Sequence, residues 1–102
     1  MYRRYELPPE LGRPFLYQGE KSAGMATEPP QVGDMVTFRV GGLAVFDLVI
    51  EAVGDGTVQG VVGDYRGHFV EAFPRTFDRG DKLEVDTAAV YILRRAGEYV
   101  RP

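Results

Sequence analysis

A Gly-Asp pair runs straight into an alternating strand at Gly33-Asp34-Met35-Val36-Thr37-Phe38-Arg39-Val40. Val36, Phe38 and Val40 share one face, and Met35, Thr37 and Arg39 share the other, which is the pattern of a half-buried strand. The same device returns at Gly80-Asp81-Lys82-Leu83-Glu84-Val85, with Leu83 and Val85 on the apolar face. Gly-Asp and Gly-Gly pairs recur between these two strands. That punctuation confines the chain to short strands joined by tight turns. In 102 residues it leaves room for one compact domain and an arm.

Taken in order, the strands read as a small antiparallel barrel over residues 32–95. Gly41-Gly42 turns the first strand, Val32–Val40, into a second one running from Leu43 to Val53. In that second strand Phe46, Leu48 and Ile50 alternate against Val45, Val49 and Val53, with Asp47 and Glu51 between the latter. One face must point inward, so the other carries a part-apolar stripe, and Val45 and Val49 are candidate partner-binding residues. Gly54-Asp55-Gly56 marks a hairpin. The return strand, Thr57–Val62, places Val58 and Val62 inward, and Gly60 between them signals a bulge or a close crossing. Gly63-Asp64 is read as its end. Lys82–Asp86 is the fourth strand, Asp86-Thr87-Ala88-Ala89 a tight 3₁₀ turn, and Val90–Arg95 the fifth. Tyr91 and Leu93 there are expected to alternate against Val90 and Ile92.

Two segments stand apart. Residues 1–31 carry Pro8, Pro9, Pro14, Pro29 and Pro30, which forbid a long helix and favour extended backbone. Tyr2, Tyr5, Leu7, Leu11, Phe15, Leu16 and Tyr17 are too apolar for a solvated tail. This arm therefore docks, either on its own barrel or on a partner, and Tyr2, Tyr5, Leu11, Phe15 and Tyr17 are its candidate contacts. Between Tyr65 and Arg79, Tyr65, Phe69, Phe73 and Phe77 recur every four residues. They close one end of the barrel or form an aromatic cleft bordered by Arg66, Arg75 and Arg79. Residues 96–102 are a short tail.

Catalytic chemistry is poorly provided for. No cysteine is present, His68 is the one histidine and Ser22 the one serine, so thiolate or His-rich metal sites and Ser-His-Asp catalysis are hard to build. Asp34, Asp55, Asp64 and Asp81 all adjoin glycine, where aspartate serves turn geometry. No phosphate-binding glycine pattern occurs. Arg79-Gly80-Asp81 spells an adhesion tripeptide, but its place at a strand entrance accounts for it. No catalytic residue, cofactor or metal is expected. The net charge of −3 does not favour phosphate backbones. The longest apolar run, Leu43–Ile50, is broken by Asp47 and is too short to span a membrane.

Five short strands, the Gly-Asp entrances, the Gly-Asp-Gly hairpin and the tight turn before the last strand resemble an SH3-like small barrel, an arrangement shared by Tudor and KOW modules. The resemblance implies an all-β binding module: a five-stranded antiparallel barrel with a Pro-rich N-terminal arm. Small barrels with extended arms also resemble minor structural proteins of tailed bacteriophages. The expected function is a non-enzymatic protein-interaction or structural subunit of a larger assembly, with a protein partner or a second copy. Its expected place is the cytoplasm, or the virion if the chain is phage-encoded. The alternative is a nucleic-acid or ribonucleoprotein module that stacks bases with Tyr65, Arg66 and Phe69.

Overall fold

The computed structural model describes residues 1–9, 15–18, 23–26, 29–40, 44–67 and 77–96. They form one sheet of eight strands: β1 Arg3–Arg4, β2 Phe15–Gln18, β3 Ala23–Ala26, β4 Met35–Val40, β5 Ala44–Val53, β6 Thr57–Gly67, β7 Lys82–Asp86 and β8 Val90–Arg94. The spatial order is β1-β7-β6-β5-β4-β8-β2-β3. A 3₁₀ turn at Thr87–Ala89 is the one helical element among the described residues, and no helix there is long and apolar enough to cross a membrane.

The middle of the sheet, β7-β6-β5-β4-β8, is antiparallel throughout. Its inner face buries Val36, Phe38, Phe46, Leu48, Ile50, Val58, Val62, Leu83, Val85 and Leu93. Full burial of a Leu, Val or Phe side chain contributes about 1.5–3 kcal/mol, so this face dominates the stability. The whole sheet departs from a five-stranded antiparallel barrel. β1 joins β7 in parallel, β2 joins β8 in parallel, and β3 pairs antiparallel with β2. The sheet is therefore mixed, and among the described residues no ladder joins its edges β1 and β3. The arm strands escape a pattern search because they are short and take their hydrogen bonds from the edges of β7 and β8.

Both Gly-Asp entrances adopt one geometry. Asp34 N–H donates to the Gln31 carbonyl (3.0 Å) and Asp81 N–H to the Asp78 carbonyl (3.1 Å). Gly33 and Gly80 have φ of 94° and 88°, and no described non-glycine residue has positive φ. Each is therefore a type II turn with glycine at its third position. The aspartate side chains complete the motif, accepting the Gln31 and Asp78 N–H groups at 2.9 Å each. Each turn then hooks the next strand: Gly33 and Asp34 bond Ile50 of β5, and Gly80 and Asp81 bond Val62 of β6.

Bulges decide which side chains face inward. Residue pairs shift from Ile50↔Gly60 to Ala52↔Gln59, leaving Glu51 extra on β5. A Cβ on Gly60 would lie 2.1 Å from the Val49 carbonyl oxygen, so the backbones cross there too closely for a side chain. A second shift, between Leu48↔Val62 and Phe46↔Tyr65, absorbs Gly63-Asp64. That pair does not end the strand; β6 runs on to Gly67 because the bulge restores pairing with Ala44–Phe46. On β8, Thr37↔Ile92 gives way to Phe38↔Val90, so Tyr91 is the extra residue. Val90 and Leu93 are both buried as a result, and the simple alternation expected for this strand fails.

The arm reaches the core through Tyr5 and Leu7, which pack against it. The Tyr5 ring stands edge-on to Phe46 (5.6 Å) and Phe77 (5.3 Å), and its N–H donates to the Glu84 carbonyl at 2.9 Å. Burial pushes the Tyr5 phenol above its ordinary pKa, with Arg3 opposing.

Gly60→Ala is expected to lower stability by about 3 kcal/mol, the upper range for forced overpacking, read as a lower urea midpoint at unchanged slope. The raised Tyr5 pKa favours the neutral phenol in the folded state. Its contribution is thus complete below the unfolded value of about 10 and is lost as pH rises through the folded value. The urea midpoint should fall as the pH rises above about 10, and fall less in Tyr5→Phe; an equal fall in both proteins would show that Tyr5 does not titrate with unfolding.

Candidate functional site

Among the described residues, the outer face of β5 and β6 keeps part of its apolar surface uncovered. Val49 and Val61 are register partners there, both half-buried, on the side opposite Leu48 and Val62. They floor a groove of about 930 Å³. One wall is the first Gly-Asp turn, with Val32 and Gly33, and the other is the second, with Arg79 and Gly80. Glu51 and Asp64 also line it. The matched turns thus set the width of the groove, because each is pinned by backbone bonds to β5 or β6. Val32 is 62% exposed at the rim, one of three large apolar side chains left in solvent among the described residues.

Beside the groove, a chain of charged and hydroxyl groups crosses the outer face. Arg94 donates to Thr37 Oγ1 (3.1 Å), Thr37 Oγ1 donates to Asp47 Oδ1 (2.6 Å), and Arg66 donates to Asp47 Oδ2 (3.0 Å). Arg66 also lies 3.7 Å from Asp64, which accepts from Arg79 at 2.7 Å. The Asp47 side chain is only 6% exposed, and these partners satisfy both of its oxygens. Hydrogen bonding to Arg79 and to the Tyr65 N–H, with the charges of Arg79 and Arg66, holds the Asp64 carboxyl below its usual range. Arg66 is pushed up, first by its bond to Asp47, against desolvation. Arg39 lies over the Tyr91 ring at 4.2 Å.

Among the described residues no three His, Asp, Glu or Cys side chains gather as a metal site, and every buried side-chain nitrogen or oxygen has a partner.

The candidate residues read from the sequence divide between the two faces. Val49 lies in the groove, and Val45 sits on the same face between Arg39 and Arg66 in register. Tyr65 pairs with Phe46 and packs toward the core, its ring 6.2 Å from Phe77 and under Arg79 at 5.2 Å. Arg66, one residue on, belongs to the outer face with Asp47. The structure therefore does not bring Tyr65 and Arg66 together as one stacking surface. In the arm, the Tyr2 hydroxyl donates to Glu51 at 2.6 Å and Tyr5 fills the aromatic cluster. Phe15 and Tyr17 are on β2, whose backbone pairs with β3 and, at Tyr17, with Leu93 of β8. Leu11, Phe69 and Arg75 lie outside the described residues, as do His68, Phe73 and the Gly41-Gly42 turn. Sequence reasoning missed Val32 and Val61 as members of this surface, while alternation already puts Asp47 on the face of Val45 and Val49. Val32, an apolar residue one place before a turn glycine, is the only signal it offered.

Comparison with protein-family models, with curated proteins and with solved structures found no match in any of the three.

Asp47→Ala is expected to lower stability by about 2 kcal/mol and Thr37→Val by about 1 kcal/mol, as buried hydrogen-bonded groups lose partners. The double variant should lose less than the sum of the two, because they share one bond. Urea unfolding of the four proteins checks this; strict additivity would show that the bond contributes nothing.

Proposed function

We propose that the chain is a non-enzymatic protein-interaction or structural subunit of a larger assembly, and that the groove on β5 and β6 is its contact face. The observation that carries this reading is the pairing of an apolar floor, Val49 and Val61, with an exposed apolar side chain, Val32, on the same rim. One face then holds both a cleft and a group able to fill it. Such a face is self-complementary, and a second copy is its natural first partner. Charged groups at the margin, Glu51, Asp64 and Arg79, match the polar rim of interaction surfaces.

Five antiparallel strands in the middle of the sheet, with a 3₁₀ turn before the last, support an SH3-like reading of the fold, by analogy only. A tailed-phage virion is one assembly that suits a small domain with an arm. The nucleic-acid alternative has less support. Tyr65 packs toward Phe77, and Arg66 and Arg79 are engaged with Asp47 and Asp64.

Light scattering over a concentration series tests the proposal. The full chain should exceed its monomer mass of 11.3 kDa increasingly with concentration. Val49→Lys or Val61→Lys should return it toward the monomer while the far-ultraviolet dichroism stays unchanged. A wild-type chain that remains monomeric at every concentration overturns the proposal.

A further inference from the structure

We infer that the seat along β7, which holds residues 2–7, also receives the same segment from a second copy, so that neighbouring copies exchange arms. This deepens the assembly reading and rests on it.

The segment is held as a separate peptide would be. Its backbone pairs in parallel, Arg3↔Leu83 and Arg4↔Glu84, and Tyr5 N–H continues the ladder to the Glu84 carbonyl. Tyr5 enters an aromatic socket made by Phe46 and Phe77, and Leu7 follows it onto the core. Arg4 reaches Asp86 at 2.6 Å, Arg3 lies 3.8 Å from Asp81, and the Tyr2 hydroxyl meets Glu51. The segment brings Arg3 and Arg4, the latter also bonded to Glu6 within the segment, to a seat where Glu51, Asp81, Glu84 and Asp86 outnumber the one lysine, Lys82. All of the seat's groups are distant in sequence, so none of its contacts depends on which chain supplies the arm.

What distinguishes the two arrangements is the link. Pro8-Pro9 follows Leu7 directly, and both prolines are exposed. Each proline fixes its own φ and keeps the preceding residue out of helical conformation, so the segment leaves its seat along a stiff, extended surface path. The same contacts then form within a chain or between chains, and concentration selects between them.

The chain lacks cysteine, so introduced thiols are the only ones present. Arg4 and Glu84 face each other across the ladder, and neighbouring strands lie about 4.8 Å apart, within disulfide reach. Arg4→Cys and Glu84→Cys chains, mixed at high concentration and mildly oxidised, should give a disulfide-linked heterodimer. Its yield should exceed tenfold that of Arg4→Cys mixed with Val53→Cys, whose thiol sits at the β5–β6 hairpin. Equal yields in the two mixtures overturn the inference. The wild-type chain provides a second reading that needs no substitution. In a mixture of isotope-labelled and unlabelled chains, filtered nuclear Overhauser spectra should show Tyr5–Phe77 contacts between copies; such contacts found only within one chain overturn exchange. If light scattering shows oligomers while both measurements fail, arm exchange is wrong and the groove assembly stands. A strictly monomeric chain removes both.

Discussion

The Asp34 carboxylate holds the sheet at the point where β4, the first strand of its antiparallel middle, begins. It is buried, and it accepts the N–H groups of Gln31 and Ala96 and a 2.7 Å bond from Arg95. One side chain therefore closes the turn into β4 and fastens it to the residues that follow β8. Arg95 extends the tie to the Pro29 carbonyl. Because β4 lies between β5 and β8, its start fixes the register of both neighbours, and a slip by one residue would turn Val36 and Phe38 outward. Asp81 repeats the turn at the start of β7, with fewer partners and more exposure.

From that constraint the two faces diverge. Inside, alternating apolar residues pack around Phe38, Phe46 and Phe77, whose rings meet through Phe46 at 5.2 and 4.6 Å. Outside, the same strands present Thr37 and Asp47 as a buried polar pair and Val49 and Val61 as an apolar floor. A buried carboxylate is tolerated there because Thr37 and Arg66 satisfy both of its oxygens. The groove follows from the spacing of the twin turns, since each is anchored one strand further across the sheet.

Edges explain the arm. Strands β7 and β8 end the antiparallel part of the sheet and offer unpaired backbone groups, which β1 and β2 take up in parallel. The arm thereby supplies ring surface from Tyr5 to an otherwise open end of the core. Segregating residues 1–31 as a separate arm describes their composition well, whereas in space their strands are part of the sheet.

Much was legible from local rules. The Gly-Asp turns, the Gly54-Asp55-Gly56 hairpin, the Lys82–Asp86 strand, the 3₁₀ turn after it and the inward faces of β4 to β7 all rest on period-two alternation and on the φ that glycine alone adopts easily. Gly60 was readable as a close crossing for the same reason. The other two bulges were not readable: whether Gly63-Asp64 ends a strand or bends through it depends on a partner strand, and so does the extra residue Tyr91. Of the candidate surface, the sequence marked Val45, Asp47 and Val49 by alternation alone, while Val61 joined it through cross-strand register and Val32 through the turn pinned to Ile50. By itself, then, the sequence determined an all-β domain, its turns and the inner faces of its central strands, because those depend on neighbours along the chain. Tertiary structure alone decided the mixed sheet, the seat of the arm and the groove, because each is made by residues that meet only when distant strands pair.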